Sequence, residues 1–165
     1  MIQIIIHGRG GQGAVKAAQL LALAASLEGK YAQAFPQFGV ERSGAPVEAY
    51  CRISDEFILL RSHIYSADYA IVLDPSLLNV KNIIAKKLLV NTKKHLKDSF
   101  TFDATSIAMK IFGRPVVNTI MLAAFSFFTK TISKKSLLEA CKETFSGIVL
   151  KKNLLAVEEA YKKIK

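Results

Sequence analysis

The stretch MIQIIIHGRGGQGAVKAAQLLALAASL, running from Met1 to Leu27, decides the fold. Ile2 to Ile6 is a short apolar run rich in β-branched residues and bounded by His7 and Gly8, the pattern of a strand buried on both faces. Ala14 to Leu27 is built mostly of alanine and leucine and stops at Glu28-Gly29-Lys30, which predicts a helix with a glycine-marked end. Between the two, Gly8, Gly10 and Gly13 satisfy the spacing GxGxxG. Strand, glycine loop and helix in this order make an anion-binding turn: backbone N–H groups without side chains around them approach a phosphate closely, and the helix N-terminus adds free donors and a favourable dipole.

Working outward, Tyr31 to Phe35 reads as a second strand ended by Pro36, and Gln37 to Pro46 as a polar loop. Val47, Ala49, Cys51 and Ile53 alternate with Glu48, Tyr50, Arg52 and Ser54, the period of a half-exposed strand. Asp55-Glu56 reads as a turn and Phe57 to Leu60 as a further short strand, giving an antiparallel hairpin beside a parallel core. Tyr69 to Leu73 predicts another buried strand. Asp74-Pro75 then caps a helix that ends before Lys86, and Leu88 to Asn91 is a strand. Asp103 caps a helix through Phe112, stopped by Gly113 and Pro115; Asn118 or Thr119 caps the apolar segment that follows. Ser136 with Glu139 forms a capping box, and Leu154, Leu155, Val157, Tyr161 and Ile164 mark an amphipathic final helix. The expected fold is a single α/β domain over residues 1–165, three-layered and Rossmann-like, its sheet mixed but mostly parallel, with a β-hairpin excursion and a helical C-terminus.

Composition narrows the function classes. Half of the 165 residues are hydrophobic, yet the longest apolar stretches fall short of the roughly 18 to 20 residues that span a bilayer. Met1 runs straight into an apolar strand with no basic leader, so a cytoplasmic protein without membrane contact is expected. Cys51 and Cys141 lie far apart with no CxxC and form no metal or cluster ligand set by themselves. The net charge of +10 is uneven: residues 1–80 carry six basic and seven acidic groups, residues 81–165 carry 17 and six. The basic residues come as scattered lysine pairs such as Lys134/Lys135 and Lys162/Lys163, without an arginine block or aromatic interleaving. A solvated surface or an acidic protein partner suits this better than nucleic acid.

A dinucleotide site needs, besides the glycines, an acid at the end of the second strand to hold the ribose. Tyr31 to Phe38 contains none; Glu28 comes too early, and Glu41 lies beyond Pro36 beside Arg42. No GKS or GKT follows the glycines, so this is not a Walker loop, and Lys16 lies a turn too late. What remains open is another phosphate-bearing ligand, or glycines that serve only close strand-to-helix packing. His7 is either a ligand contact or a packed histidine. Asn118 and Thr119 are caps or ligand contacts, and His63 and His95 have no partner pattern.

Longer strings are more specific than the glycine spacing. They are His7-Gly8-Arg9-Gly10-Gly11-Gln12-Gly13-Ala14-Val15, Glu28 to Pro36, Phe38-Gly39, Glu41-Arg42 and Gly44-Ala45-Pro46-Val47. Arg52 to Asp55, Val72-Leu73-Asp74-Pro75, Val90-Asn91-Thr92 and Gly113 to Thr119 extend them. This wording resembles the gamma subunit of pyruvate:ferredoxin oxidoreductase (pyruvate synthase), of the 2-oxoacid:acceptor oxidoreductases, over most of the chain up to about residue 130. The resemblance implies a subunit of a heterotetrameric complex that converts a 2-oxoacid and coenzyme A to acyl-CoA and carbon dioxide while reducing ferredoxin, or runs in reverse. The pyruvate branch is closer than that of 2-oxoglutarate. It implies alpha, beta and delta partner subunits that hold thiamine diphosphate, magnesium and [4Fe-4S] clusters, and a gamma chain that holds none of these and has no catalytic or metal-binding residue. It implies coenzyme A at this chain, with Gly8, Arg9, Gly10, Gly11, Gln12 and Gly13 at a phosphate and Arg42 and Ser43 as a second contact. Ser43 departs from the basic residue common at that position. The rival reading is a free-standing nucleotide- or phosphate-binding Rossmann-like module.

Overall fold

The computed structural model describes residues 1–37, 44–80 and 82–164. Its strands are β1 (Ile2–Arg9), β2 (Tyr31–Pro36), β3 (Pro46–Ser54), β4 (Ala67–Val72), β5 (Ala85–Asn91) and β6 (Ser99–Phe102). Its helices are α1 (Ala14–Ser26), α2 (Ala104–Phe112), α3 (Asn118–Thr129), α4 (Lys134–Thr144) and α5 (Gly147–Ile164). Among the described residues the strands form one sheet in the order β2-β3-β1-β4-β5-β6. Pairings of β1 with β4, β4 with β5 and β5 with β6 are parallel, and both pairings of β3 are antiparallel. Only β3 therefore runs against the other five.

Strand alternation divides the burial between two faces. Ile4 and Ile6 of β1, Cys51 and Ile53 of β3, Ile71 of β4 and Leu89 of β5 join the main core beneath the helices, while Ile5, Tyr50 and Val72, Val90 point the other way. Helix α1 lies across β1, β2 and β3 through Ala17, Ala18, Leu20, Leu21, Ala24 and Ala25, whose small side chains allow a close approach. Helix α3 is buried from Asn118 through Ser126 because α1, α2, α4 and α5 surround it, which is what an apolar helix without a polar face requires. The opposite face of the sheet is covered by Ile58, Ile64, a 3-10 turn (Pro75–Asn79) carrying Leu77, and Ile83 and Leu96. No helix among the described residues is long and apolar enough to cross a membrane.

Several local expectations are corrected. Residues 57–60 form no strand, and the carbonyls of Ile58 and Leu60 accept from side chains instead of a neighbouring strand. Gln33 Nε2 donates to Ile58 O (3.1 Å), and the guanidinium of Arg52, only 1% exposed, donates to Leu60 O (3.4 Å) and Ser62 O (2.5 Å). The hairpin partners are thus β2 and β3. Asp74 caps as expected, accepting from Ser76 N, but only for the 3-10 turn ending at Asn79, and β5 begins earlier than expected, at Ala85. Strand β6 has no counterpart among the strands expected from the sequence. The N-cap of α3 is Val117, which leaves Asn118 and Thr119 inside the helix. The N-cap of α4 is Ser133, which accepts from Ser136 N (3.1 Å); Ser136 Oγ turns to Glu28 (2.6 Å), and Glu139 pairs with Lys142.

Candidate functional site

The glycine loop joins the C-terminal end of β1 to α1. Gly11 (φ +93°) and Gly13 (φ +80°) are left-handed, and Gly13 is the N-cap of α1 with no side chain capping the helix. At Gly8 a Cβ would stand 3.2 Å from Leu73 Cδ1 and 3.3 Å from Ala14 Cβ, so the crossover packs tightly below the loop. At Gly13 a Cβ would lie 2.6 Å from Asn118 Nδ2, which brings the start of α3 against the start of α1. Nothing lies within 4 Å of the corresponding position at Gly11, so the loop is open there.

A clamp of side chains holds this turn from one side. Gln12 Oε1 accepts from Arg9 N (2.8 Å) while Gln12 Nε2 donates to Asp74 Oδ2 (3.3 Å). The guanidinium of Arg9 lies 3.2 Å from the same carboxylate and donates to Ser76 Oγ (2.7 Å) and Gly44 O (3.1 Å). Gly10 N donates to Ala45 O (2.8 Å) and Gly44 N to Gly10 O (3.3 Å), tying the approach to β3 onto the loop. Burial pushes the Asp74 carboxyl up, but the hydrogen bonds from Ser76 and Gln12 and the nearby Arg9 outweigh it and hold it below the usual carboxylate range. Arg9 and Gln12, expected as ligand contacts, are thus occupied in shaping the loop, as are the amides of Gly10 and of Gln12, which donates to Arg9 O (2.9 Å). In the sequence Asp74 with Pro75 marks only a helix start, and Ser76 carries no signal of its own. Their part in the clamp arises from β4 lying beside β1, a contact 62 residues apart in the chain.

The sheet order bears on the kind of phosphate ligand. β3 stands between β1 and β2, so the end of β2 is two strand spacings, about 10 Å, from β1 instead of beside it. No acid therefore comes to the glycine loop from the end of β2, and the acid that does reach it, Asp74 after the parallel neighbour β4, is engaged by Arg9, Gln12 and Ser76. Arg42 and Ser43 lie outside the described residues.

His7 does not face the loop. It lies on the opposite sheet face with Nδ1 3.6 Å from Glu48 Oε1, lining a cavity of about 400 Å³ with Tyr50, Gln37 and His63. Tyr50 OH lies 2.7 Å from Gln37 Oε1 and 3.1 Å from Glu48 Oε2; burial first and the Glu48 charge second push its phenol up to about 12. Asn118 and Thr119 are both buried, and Thr119 Oγ1 makes no hydrogen bond among the described residues. Cys51 and Cys141 are buried and free; burial pushes the Cys51 thiol strongly up and the Cys141 thiol to about 11. No three His, Cys, Asp or Glu side chains among the described residues come together to hold a metal ion, so the donor set does not fit an iron–sulfur cluster.

Comparison with known proteins extends over the whole chain. Residues 3–163 match the family model described as pyruvate ferredoxin/flavodoxin oxidoreductase. The pyruvate synthase subunit PorC of Methanothermobacter marburgensis is 48% identical over 174 residues, covering 100% of this chain and 98% of that one. The pyruvate/ketoisovalerate oxidoreductases common subunit gamma of Thermococcus kodakarensis is 47% identical over 179 residues, covering 99% and 97%. The crystal structure of the pyruvate oxidoreductase subunit PORC of Thermotoga maritima superimposes with a TM-score of 0.83 at 35% identity, covering 98% of this chain and 95% of that one. With the family model spanning nearly every residue and relatives matched over their full length, this chain belongs to the pyruvate ferredoxin/flavodoxin oxidoreductase family, as a chain of the gamma-subunit type.

Proposed function

We propose that this chain is the gamma subunit of a coenzyme A-dependent 2-oxoacid:ferredoxin oxidoreductase with pyruvate as the preferred 2-oxoacid. It works beside alpha, beta and delta subunits that hold thiamine diphosphate, magnesium and the [4Fe-4S] clusters. The assembled enzyme takes a 2-oxoacid and coenzyme A to acyl-CoA and carbon dioxide and passes the electrons to ferredoxin, or runs in reverse. This chain contributes the coenzyme A side and assembly contacts. A reducing, cytoplasmic setting suits its two buried free thiols.

One observation carries the ligand assignment: the N-terminus of α1 has no side-chain cap and opens behind left-handed Gly11 and Gly13, with no acid beside it from the end of β2 and with Asp74 taken up by Arg9, Gln12 and Ser76. Coenzyme A brings phosphates to such a turn and makes no demand for that acid. Arg9, Gln12, Asp74 and Ser76 hold the loop in shape, and backbone amides at Gly11, Gly13 and the first turn of α1 face the phosphate. Arg42 and Ser43, which precede Gly44 in the chain, are the second contact region.

Co-expression of this chain, tagged, with candidate thiamine- and cluster-binding subunits tests the reading. The expected result is co-purification as one stable complex. A chain that purifies alone as a monomer from such cells, leaving the activity of the other subunits unchanged, contradicts it.

A further inference from the structure

All five helices feed the main core on one face of the sheet, and neither apolar cluster on the other face contains an α-helical residue. A sheet with parallel strands is ordinarily covered on both faces. Over β2 and β3 the second cover is a strap, residues 55–66, that is neither helix nor strand. Ile58 and Ile64 turn inward and are buried. Side chains of the sheet fix the strap between them: Gln33 donates to Ile58 O, and Arg52 donates to Leu60 O and Ser62 O while its guanidinium carbon lies 5.1 Å from the centre of the Phe35 ring. A buried guanidinium satisfied by backbone carbonyls sets the strap in one geometry, with its remaining side chains turned outward.

Those outward side chains are large and apolar. Phe57, Leu59 and Tyr65 are 66%, 80% and 79% exposed, and Leu60 and Tyr31 are about half exposed, with Tyr31 edge-on to Phe57 at 5.7 Å. At roughly 200 Å² for a whole side chain of this size, the five leave on the order of 600 Å² of apolar surface, the upper end for a lone monomer and most of the roughly 800 Å² each partner gives to a standard interface. The composition agrees. The chain has 18 lysines but none between residues 31 and 80, whereas 16 lie in residues 81–165. Loss of lysine with gain of aromatic residues and arginine marks the centre of an interface, and a solvated face shows the reverse. Arg61, on the strap, is exposed and makes no ion pair among the described residues. Two copies of this chain, each of net charge +10, would bring like fields together, so the charge favours a partner of another kind.

We propose that the strap of residues 55–66, with Tyr31 beside it, is the docking surface for a different subunit of the oxidoreductase, whose facing surface is apolar and supplies a carboxylate to Arg61. That subunit provides the second layer that the helix-free face of the sheet lacks. Arg52 and Gln33 hold the strap ready before docking, so the complex forms without the cost of ordering a loop. The assignment rests on the reading of this chain as one subunit of a larger enzyme and adds which surface makes the joint and what chemistry meets it.

The test uses the full chain co-expressed with the other subunits of the oxidoreductase. Leu59→Asp combined with Tyr65→Asp changes two outward side chains and leaves the core untouched; its urea midpoint in the free chain should match that of the unaltered protein. Co-purification is expected to fall at least tenfold with this variant, the effect of charging the centre of an interface, and Arg61→Glu is expected to weaken assembly by a similar factor. In the unaltered complex, backbone amides of residues 55–66 should exchange with deuterium at least tenfold more slowly than in the free chain, a readout that does not depend on any variant folding. If the unaltered chain co-purifies but these amides exchange equally fast in complex and free chain, or the folded double variant assembles normally, the strap assignment is overturned and the subunit reading stands. Normal assembly of Arg61→Glu overturns the carboxylate counterpart. If the free chain sediments as a dimer that the double variant dissolves, the surface belongs to a second copy and the proposal is wrong. If the unaltered chain does not co-purify at all, the subunit reading falls and the strap assignment with it.

Discussion

Replacing Gly13 with alanine tests the close approach between the start of α1 and the start of α3. Gly11→Ala is the reference: Gly11 has φ +93° and no atom within 4 Å of an added Cβ, so alanine there carries only the left-handed backbone cost, about 1–2 kcal/mol. Gly13→Ala carries a similar backbone cost at φ +80°, and its Cβ meets Asn118 Nδ2 at 2.6 Å and Cγ at 3.3 Å. That overlap adds about 1–3 kcal/mol, the usual penalty for forcing an extra methyl into a packed site. The total, about 2–5 kcal/mol, is a large part of the roughly 5–15 kcal/mol by which domains are stable. Urea unfolding of the purified chain measures both variants, and thermal melts should separate them by roughly 2–4 °C per kcal/mol. Asn118→Ala combined with Gly13→Ala should recover the overlap share, a coupling of about 1–3 kcal/mol between residues 105 positions apart in the chain. A Gly13→Ala variant no less stable than Gly11→Ala, or a double variant with no recovery, refutes the contact between the starts of α1 and α3.

Three further outcomes are expected. Burial pushes the Glu28 carboxyl up, but hydrogen bonds from Ser136, Ser133 and Lys30 outweigh it and bring it down to about 2. A carboxyl depressed in the folded state contributes stability that is complete above its unfolded value of about 4.5 and is lost as the pH falls toward 2. The loss is on the order of 1–2 kcal/mol once solvent screening is allowed for. Acid titration of unfolding should show this slope, and Glu28→Gln should lack it; an unchanged slope in the variant counts against the tie between α1 and α4. Arg52→Lys cannot serve both Leu60 O and Ser62 O with the same planar geometry, so limited proteolysis within residues 57–62 should accelerate, and an unaltered cleavage pattern speaks against the latch. Thr119→Val removes a buried hydroxyl that has no hydrogen bond among the described residues and should stabilise by about 1 kcal/mol; a destabilised variant shows that the hydroxyl has a partner.

The strand, glycine loop and helix at the N-terminus were legible because their determinants are local: a β-branched run, three glycines at fixed spacing and an alanine-rich segment with a glycine stop. The Asp103–Gly113 helix was legible for the same reason, with its cap and its left-handed C-terminal glycine both in sequence. What escaped depends on partners distant in the chain. Ser133 and Ser136 are both capable caps, and the choice is made by Glu28, 108 residues away from Ser136, whose carboxylate claims the Ser136 hydroxyl. Residues 57–60 carry a strand-like apolar pattern, but Gln33 takes the Ile58 carbonyl and Arg52 that of Leu60. Strand β6 is four residues on the sheet edge in a lysine-rich stretch, too short for a periodic signal. At the site, the glycines could be read directly, whereas the roles of Arg9 and Gln12 as clamps, of Asp74 and Ser76 as their partners, and of Asn118 at Gly13 required the sheet order and the placement of α3. The insertion of β3 between β1 and β2 is likewise invisible locally, and it supplies an argument against a dinucleotide that stands beside the missing acid.

The central claim is that this chain completes the coenzyme A side of a 2-oxoacid oxidoreductase. Its most direct test is the rate of ferredoxin reduction by purified partner subunits, with pyruvate and with increasing coenzyme A, in the presence and absence of this chain. A saturable, coenzyme A-dependent rate is expected only when the chain is present, with a raised KM for coenzyme A when Gly11→Asp replaces the unaltered chain. An equal rate and an equal KM without the chain contradict it.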